Sequence, residues 1–143
     1  MSAAKKYKIY HRLQLAAHTL KKSADRTMME AADLTTAQAA VLAIIKDVED
    51  ISQKQVAGQL GLNESAMTAM VRRLTRLGYL SKRRSKDDGR AWCLTVTNSG
   101  SKALAAMRGP FGEINRQIDS MFDEAQTEEL AHILNRLITR FQG

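Results

Sequence analysis

The stretch SQKQVAGQLGLNESAMTAMVRRLTRLG, residues 52–78, decides the fold. Ser52 and Gln55 have the spacing at which each side chain satisfies the other's free backbone N–H at a helix start. Val56, Ala57 and Leu60 give the next turns an apolar side, and Gly61 stands where a helix ends on a left-handed residue. Asn63 is a strong N-cap for a second helix, and Gly78 stands at its expected end. Two capped helices joined by a glycine turn within about 25 residues make a helix-turn-helix.

On a helical wheel centred on Met70, Ala66, Met67, Leu74 and Leu77 lie within about 60° and form the expected inward stripe. Ser65, Thr68, Arg72, Thr75 and Arg76 fall opposite, with Ala69 at the edge. Hydroxyls near the N-terminal end suit base edges, and long cations further along suit phosphates.

Beyond Gly78 the helical period disappears. Trp92, Leu94 and Val96 alternate with Ala91, Cys93 and Thr95, which predicts a half-buried strand. Tyr79 to Arg84 is its expected partner, and residues 85–89 form a polar loop. A basic hairpin directly after a helix-turn-helix is a wing. At its tip Asp88 is placed to orient Arg90, and a pre-positioned arginine there suits the narrow minor groove.

Upstream, Ile9, Leu13, Ala16, Ala17, Leu20 and Ala24 recur at helical spacing and predict one long first helix. Thr35 and Gln38 open the next helix, with Ala37, Val41, Leu42, Ile44 and Ile45 as its buried stripe, and residues 47–50 form a charged break. Downstream, residues 97–100 cap a helix bearing Ala103, Leu104 and Met107, which Gly109-Pro110 must break or kink. A last helix is expected to open near Thr127, with Leu130, Ile133, Leu134, Leu137, Ile138 and Phe141 along it. The predicted fold class is mainly α with a small β element (α+β). Residues 34–97 form the winged unit, and residues 1–33 with 98–143 form a helical dimerisation region.

Charge supports this division. Of the 22 basic and 15 acidic residues, 9 and 3 fall in residues 51–96, a surplus of six in a chain whose net charge is +7. Such a concentration points to a polyanion partner. No apolar run reaches membrane-spanning length, and no signal peptide is recognisable. The lone Cys93 fits a reducing, cytoplasmic setting. His11, His18 and His132 lack metal-ligand spacing. No nucleophile–base pair or phosphate loop occurs, so the chain is not expected to be an enzyme or to hold a cofactor or metal. Met28 and Met29 are candidates to line a pocket.

The chain resembles the MarR family of bacterial transcriptional regulators over nearly its whole length. The likeness rests on Leu34-Thr35-x-x-Gln38 with Val41-Leu42, Val56-Ala57-x-x-Leu60-Gly61-Leu62, and Ser65-x-x-Thr68. It continues in Arg73-Leu74-x-x-x-Gly78-Tyr79-Leu80, Arg83-Arg84, Asp88-x-Arg90 and Val96-Thr97-x-x-Gly100. It implies a homodimer with interlocked terminal helices and two winged units on a pseudo-palindromic double-stranded DNA operator. It also implies Ser65 and Thr68 in the major groove, Arg73 on the backbone and Arg90 in the minor groove.

Two positions depart from the pattern. Ala69 stands where the family often has a base-reading arginine, and Gly89 where the wing more often has a second one. The expected DNA-binding residues are Ser52 and Lys54 on the first helix of the motif. On the recognition helix they are Ser65, Thr68, Ala69, Arg72, Arg73 and Arg76, and on the wing Arg83, Arg84, Lys86, Asp88 and Arg90. Ile9, Leu13, Leu130, Leu134, Leu137 and Phe141 are the expected dimer contacts. The functional expectation is a repressor relieved by a small aromatic or lipophilic effector, the effector coming from the resemblance alone. An architectural DNA binder of low specificity and a protein- or RNA-docking module are the alternatives.

Overall fold

A computed structural model describes all 143 residues. Seven helices and one hairpin follow in the order α1 (Ala3–Lys6), α2 (Ile9–Ala32), α3 (Thr36–Asp47), α4 (Gln53–Leu60), α5 (Glu64–Arg76), β1 (Leu80–Arg84), β2 (Trp92–Val96), α6 (Asn98–Met121) and α7 (Glu124–Phe141). The chain divides into two compact units, residues 1–108 and 109–143.

The winged unit lies wholly within the first, and its element ends follow from local hydrogen-bond chemistry. Thr35 with Gln38, and Ser52 with Gln55, close both bonds of their capping boxes. Gly61 adopts φ 65° at the end of α4, and Asn63 Oδ1 accepts from the Ala66 N–H at 2.8 Å to open α5. At the far end of α5, Gly78 has φ 81° and Tyr79 N–H reaches back to the Leu74 carbonyl at 2.9 Å, the bond that closes a Schellman turn.

Met28 of α2, Val41, Leu42 and Ile45 of α3, Val56 of α4, Met67, Val71 and Leu74 of α5, Leu80 and Leu94 of the hairpin, and Leu34 and Ile51 from the connections before α3 and α4 form the core. Met28 is wholly enclosed there, so it does not line an open pocket. Ala37 is exposed and Ile44 half-buried, so the buried stripe of α3 is narrower than expected.

The buried side of α5 is Met67, Val71 and Leu74, with Met70 and Leu77 only half-buried and Ala66 exposed. The stripe is thus turned by about 60° from one centred on Met70. That turn moves Ala69 from the edge of the outward face to its middle.

In the hairpin, Leu80 pairs with Val96, Lys82 with Leu94 and Arg84 with Trp92. Strict alternation fails in β2: Cys93 and Leu94 are both buried, whereas Trp92 is 53% exposed. The core covers the base of the hairpin on both faces, and the Leu94 N–H is bonded to the Ile51 carbonyl at 2.9 Å. Trp92 shares a face with Leu94 but sits two residues, roughly 7 Å, further out, beyond that cover.

The long helix expected from Ile9 onward is α2, unbroken to Ala32, and Lys8 at φ 50° separates it from the short α1. Helix α6 starts on Thr97, whose Oγ1 accepts from Gly100 N–H at 3.0 Å and donates to the Gly78 carbonyl at 2.5 Å. Gly100 is required by close approach: a β-carbon there would lie 2.3 Å from the Tyr79 carbonyl oxygen and 2.8 Å from Val96 Cγ1. Gly100→Ala is therefore expected to cost about 1–3 kcal/mol, measured as a lower urea midpoint, because the obstacle is backbone as well as side chain.

Helix α6 continues through Pro110, which excludes a break. Proline has no N–H for the carbonyl four residues back, so one ladder bond is missing there. In the second unit α7 opens on Asp123, which forms a capping box with Gln126, earlier than Thr127. No residue of α7 is buried, and Leu130, Ile133, Leu134, Ile138 and Phe141 are 36–80% exposed. Ile9 and Leu13 of α2 are likewise exposed.

Candidate nucleic-acid interface

Helix α5 presents Ser65, Thr68, Ala69, Arg72, Arg73 and Arg76 to solvent. Asn63, Glu64, Ser65, Thr68, Ala69 and Arg72 line a shallow concavity along its first turns. Gln53, at the start of α4, donates from Nε2 to Thr68 Oγ1 at 3.1 Å. With that lone pair taken, the Thr68 hydroxyl hydrogen is left to donate to an acceptor on a base edge. Gln53 is not among the residues expected from the sequence; it is half-buried, and its place in the first turn of α4 beside Lys54 is the signal for it. Ser52 is committed to its helix, its hydroxyl accepting from Gln55 N–H at 3.2 Å, while Lys54 stands free.

The wing cations divide into two groups. Arg83 donates to Asp50 Oδ1 at 2.6 Å, its side chain 30% exposed. Lys86 Nζ pairs with Glu49 Oε1 at 2.5 Å. Both lie against a carboxylate of the α3–α4 connection, Arg83 half-buried and the Lys86 side chain still 70% exposed. By contrast Lys54, Arg72, Arg73, Arg76, Lys82 and Arg90 have no carboxylate within ion-pair distance.

Asp88 does not hold the Arg90 guanidinium: its Oδ1 accepts the Arg90 backbone N–H at 3.0 Å. The short Asp88 side chain completes a turn, which places the residue without touching the cationic end. Arg84 donates to the Arg90 carbonyl at 2.8 Å, and its guanidinium carbon lies 4.0 Å from the centre of the Trp92 ring.

Asp50 anchors the wing. It sits in the left-handed region at φ 62°, takes the Ser85 hydroxyl, the Arg83 guanidinium and the Lys86 backbone N–H, and its carbonyl receives the Cys93 thiol at 3.2 Å. The Ser85 hydroxyl, acting against partial burial and aided by Arg83, holds the Asp50 carboxyl well below the usual carboxylate range. Glu49 is lowered by Lys86. In α2, burial would raise Asp25, but bonds from Lys21 and Thr36 outweigh it and hold that carboxyl at about 2.

A depressed folded-state pKa contributes stability at pH values above the unfolded pKa, about 3.9 for aspartate, and loses it as pH falls toward the folded value. Asn tolerates the left-handed backbone, so Asp50→Asn removes the charge without straining the turn. The stability gap between the parent chain and Asp50→Asn, measured by urea unfolding, should be constant above about pH 5 and shrink progressively below it.

A capped two-helix unit followed by a cationic hairpin defines a winged helix-turn-helix protein, and known proteins resemble the chain in sequence and in fold. The sequence model of the MarR family matches residues 32–91. A Bacillus cereus protein named an uncharacterized HTH-type transcriptional regulator is 30% identical over 108 residues, covering 76% of this chain and 69% of that protein. The HTH-type transcriptional regulator SarZ of Staphylococcus haemolyticus is 28% identical over 97 residues, 68% of this chain, and the match spans 63% of SarZ's length. Among solved structures, Staphylococcus aureus MepR in complex with DNA superposes with a TM-score of 0.82 at 21% identity, covering 92% of this chain and 97% of that one. The chain belongs to the MarR family. The relatives are named as regulators, not enzymes, and no single helix here is long and apolar enough to cross a membrane.

Proposed function

We propose that this chain is a cytoplasmic homodimeric repressor that binds a pseudo-palindromic double-stranded DNA operator, with half-sites about one helical turn apart. The observation that carries the reading is the exposed face of α5, which bears Ser65 and Thr68 together with Arg72, Arg73 and Arg76, three cations without a carboxylate partner; Lys54 of α4 and Arg90 of the wing are likewise without one. Ser65 and Thr68 read base edges, Arg72, Arg73 and Arg76 meet phosphates, and Arg90 enters the minor groove. The exposed apolar residues of α2 and α7 support the dimer, because stripes of that kind are ordinarily covered. A small aromatic or lipophilic effector that releases the operator belongs to this reading through the family likeness. DNA in the MepR complex supports the same use of the fold.

Duplex binding across a salt series tests it. A dimer meeting about six or more phosphates should lose about a thousandfold or more in affinity between about 50 and 200 mM salt. No duplex affinity at low salt overturns the reading. Ala69, in the middle of the outward face, favours a second one: a low-specificity architectural binder, which equal affinity for all duplexes would identify.

A further inference from the structure

The wing carries a half-exposed tryptophan that neither the core nor the outward face of α5 accounts for. Trp92 is the single tryptophan in the chain and lies directly opposite Arg84 in the β1–β2 register. The planar guanidinium covers the ring at 4.0 Å, close stacking for this pair. Stacked there, Arg84 also donates to the Arg90 carbonyl. The N–H of the same residue is held by Asp88 Oδ1. Both backbone polar groups of Arg90 are thus tied while its own guanidinium has no ion-pair partner. The rest of the loop is closed locally, by Ser85 N–H on the Ala91 carbonyl at 2.9 Å and Ala91 N–H on the Asp88 carbonyl at 3.0 Å.

We propose that Trp92 is a positioning residue for DNA binding: it holds the Arg84 guanidinium flat against the hairpin, and Arg84 in turn fixes the backbone from which Arg90 projects. The proposal rests on the DNA-binding reading above. It also makes Arg84 a strut whose main effect passes through Arg90. An alanine at Trp92 leaves Arg84 charged but free to swing, so the loop loses its tie at the Arg90 carbonyl. Phenylalanine keeps an aromatic face for the stack.

Two measurements on the full-length protein test this. In amide hydrogen exchange without DNA, residues 85–91 should exchange faster in Trp92→Ala than in the parent chain or Trp92→Phe, with the helices unchanged. In duplex titration, Trp92→Ala should bind about tenfold more weakly per dimer, the square of the roughly threefold that an exposed cation–π contact is worth at each wing. Trp92→Phe should stay within about threefold on the same scale. The double variant Trp92→Ala, Arg90→Ala should bind no more weakly than Arg90→Ala, because the tryptophan acts through that arginine. Unchanged loop exchange, unchanged affinity or independent penalties in the double variant each overturn the proposal while DNA binding stands. A parent chain with no duplex affinity overturns the DNA-binding reading and this proposal with it.

Discussion

Reversing Arg72 and Arg76 together, as Arg72→Glu and Arg76→Glu, is expected to reduce duplex affinity by about a thousandfold near 0.15 M salt. Both side chains are exposed on α5 and neither is held by a carboxylate, so their charge is free for a partner. With a slope of about −0.9 in log K per phosphate, each contact is worth about fivefold at that salt relative to 1 M, and a dimer loses four. Repulsion between the new carboxylates and the phosphates adds to this. The fold should survive, since exposed substitutions away from caps and core usually change stability by about 0.5 kcal/mol or less. Glutamate at Arg76, in the last turn of α5, adds an unfavourable helix-dipole term of about 0.3–1 kcal/mol. Electrophoretic mobility or anisotropy titration, beside a urea melt, separates the two effects. Parent-like affinity in a folded variant would show that α5 does not face the phosphates.

Which features the sequence discloses depends on the range of the interaction that makes them. Caps and glycine turns are settled within four residues, so Thr35, Ser52, Gly61, Asn63 and Gly78 could all be read from local spacing. The Asp123–Gln126 box has the same spacing, but Thr127 with its following apolar stripe offers a competing start four places on, inside the helix itself. Where a helix or strand meets its cover is a tertiary matter. The wheel of α5 could be drawn from the sequence, but its phase depended on how α5 packs in the core, which selected Val71 over Ala66. Alternation in β2 was visible, yet only the extent of the core shows that Leu94 is covered and Trp92 is not. The wing anchor was least legible of all. Asp50 and Arg83 lie 33 positions apart, and before folding Asp50 is one more charge in a break between helices. The same contact shows why a count of wing cations overstates the free charge: Arg83 is held by Asp50, whereas the Lys86–Glu49 pair is an exposed one that solvent screens.

The apolar side of α7 leads to the second large effect. Leu134 and Ile138 are one turn apart, 36% and 58% exposed, and no residue of their helix is buried in the single chain. Exposed apolar side chains repeated along a helix are ordinarily covered by a partner, and the proposed repressor supplies one in its second copy. Aspartate at both positions should therefore leave the chain's own core intact and its helical circular dichroism unchanged. Burying four such carboxylates at a two-fold interface is prohibitive, so sedimentation should find a monomer. The consequence for DNA is larger than for stability. Two winged units joined in one particle bind the second half-site at the effective concentration set by the first, and separating them removes about 10²–10⁴ in affinity. The monomer should consequently bind an isolated half-site like the parent chain while losing its preference for the full palindrome. A variant that remains dimeric places the interface elsewhere, and a true monomer that holds the palindrome as tightly as the parent removes the need for a dimer in recognition.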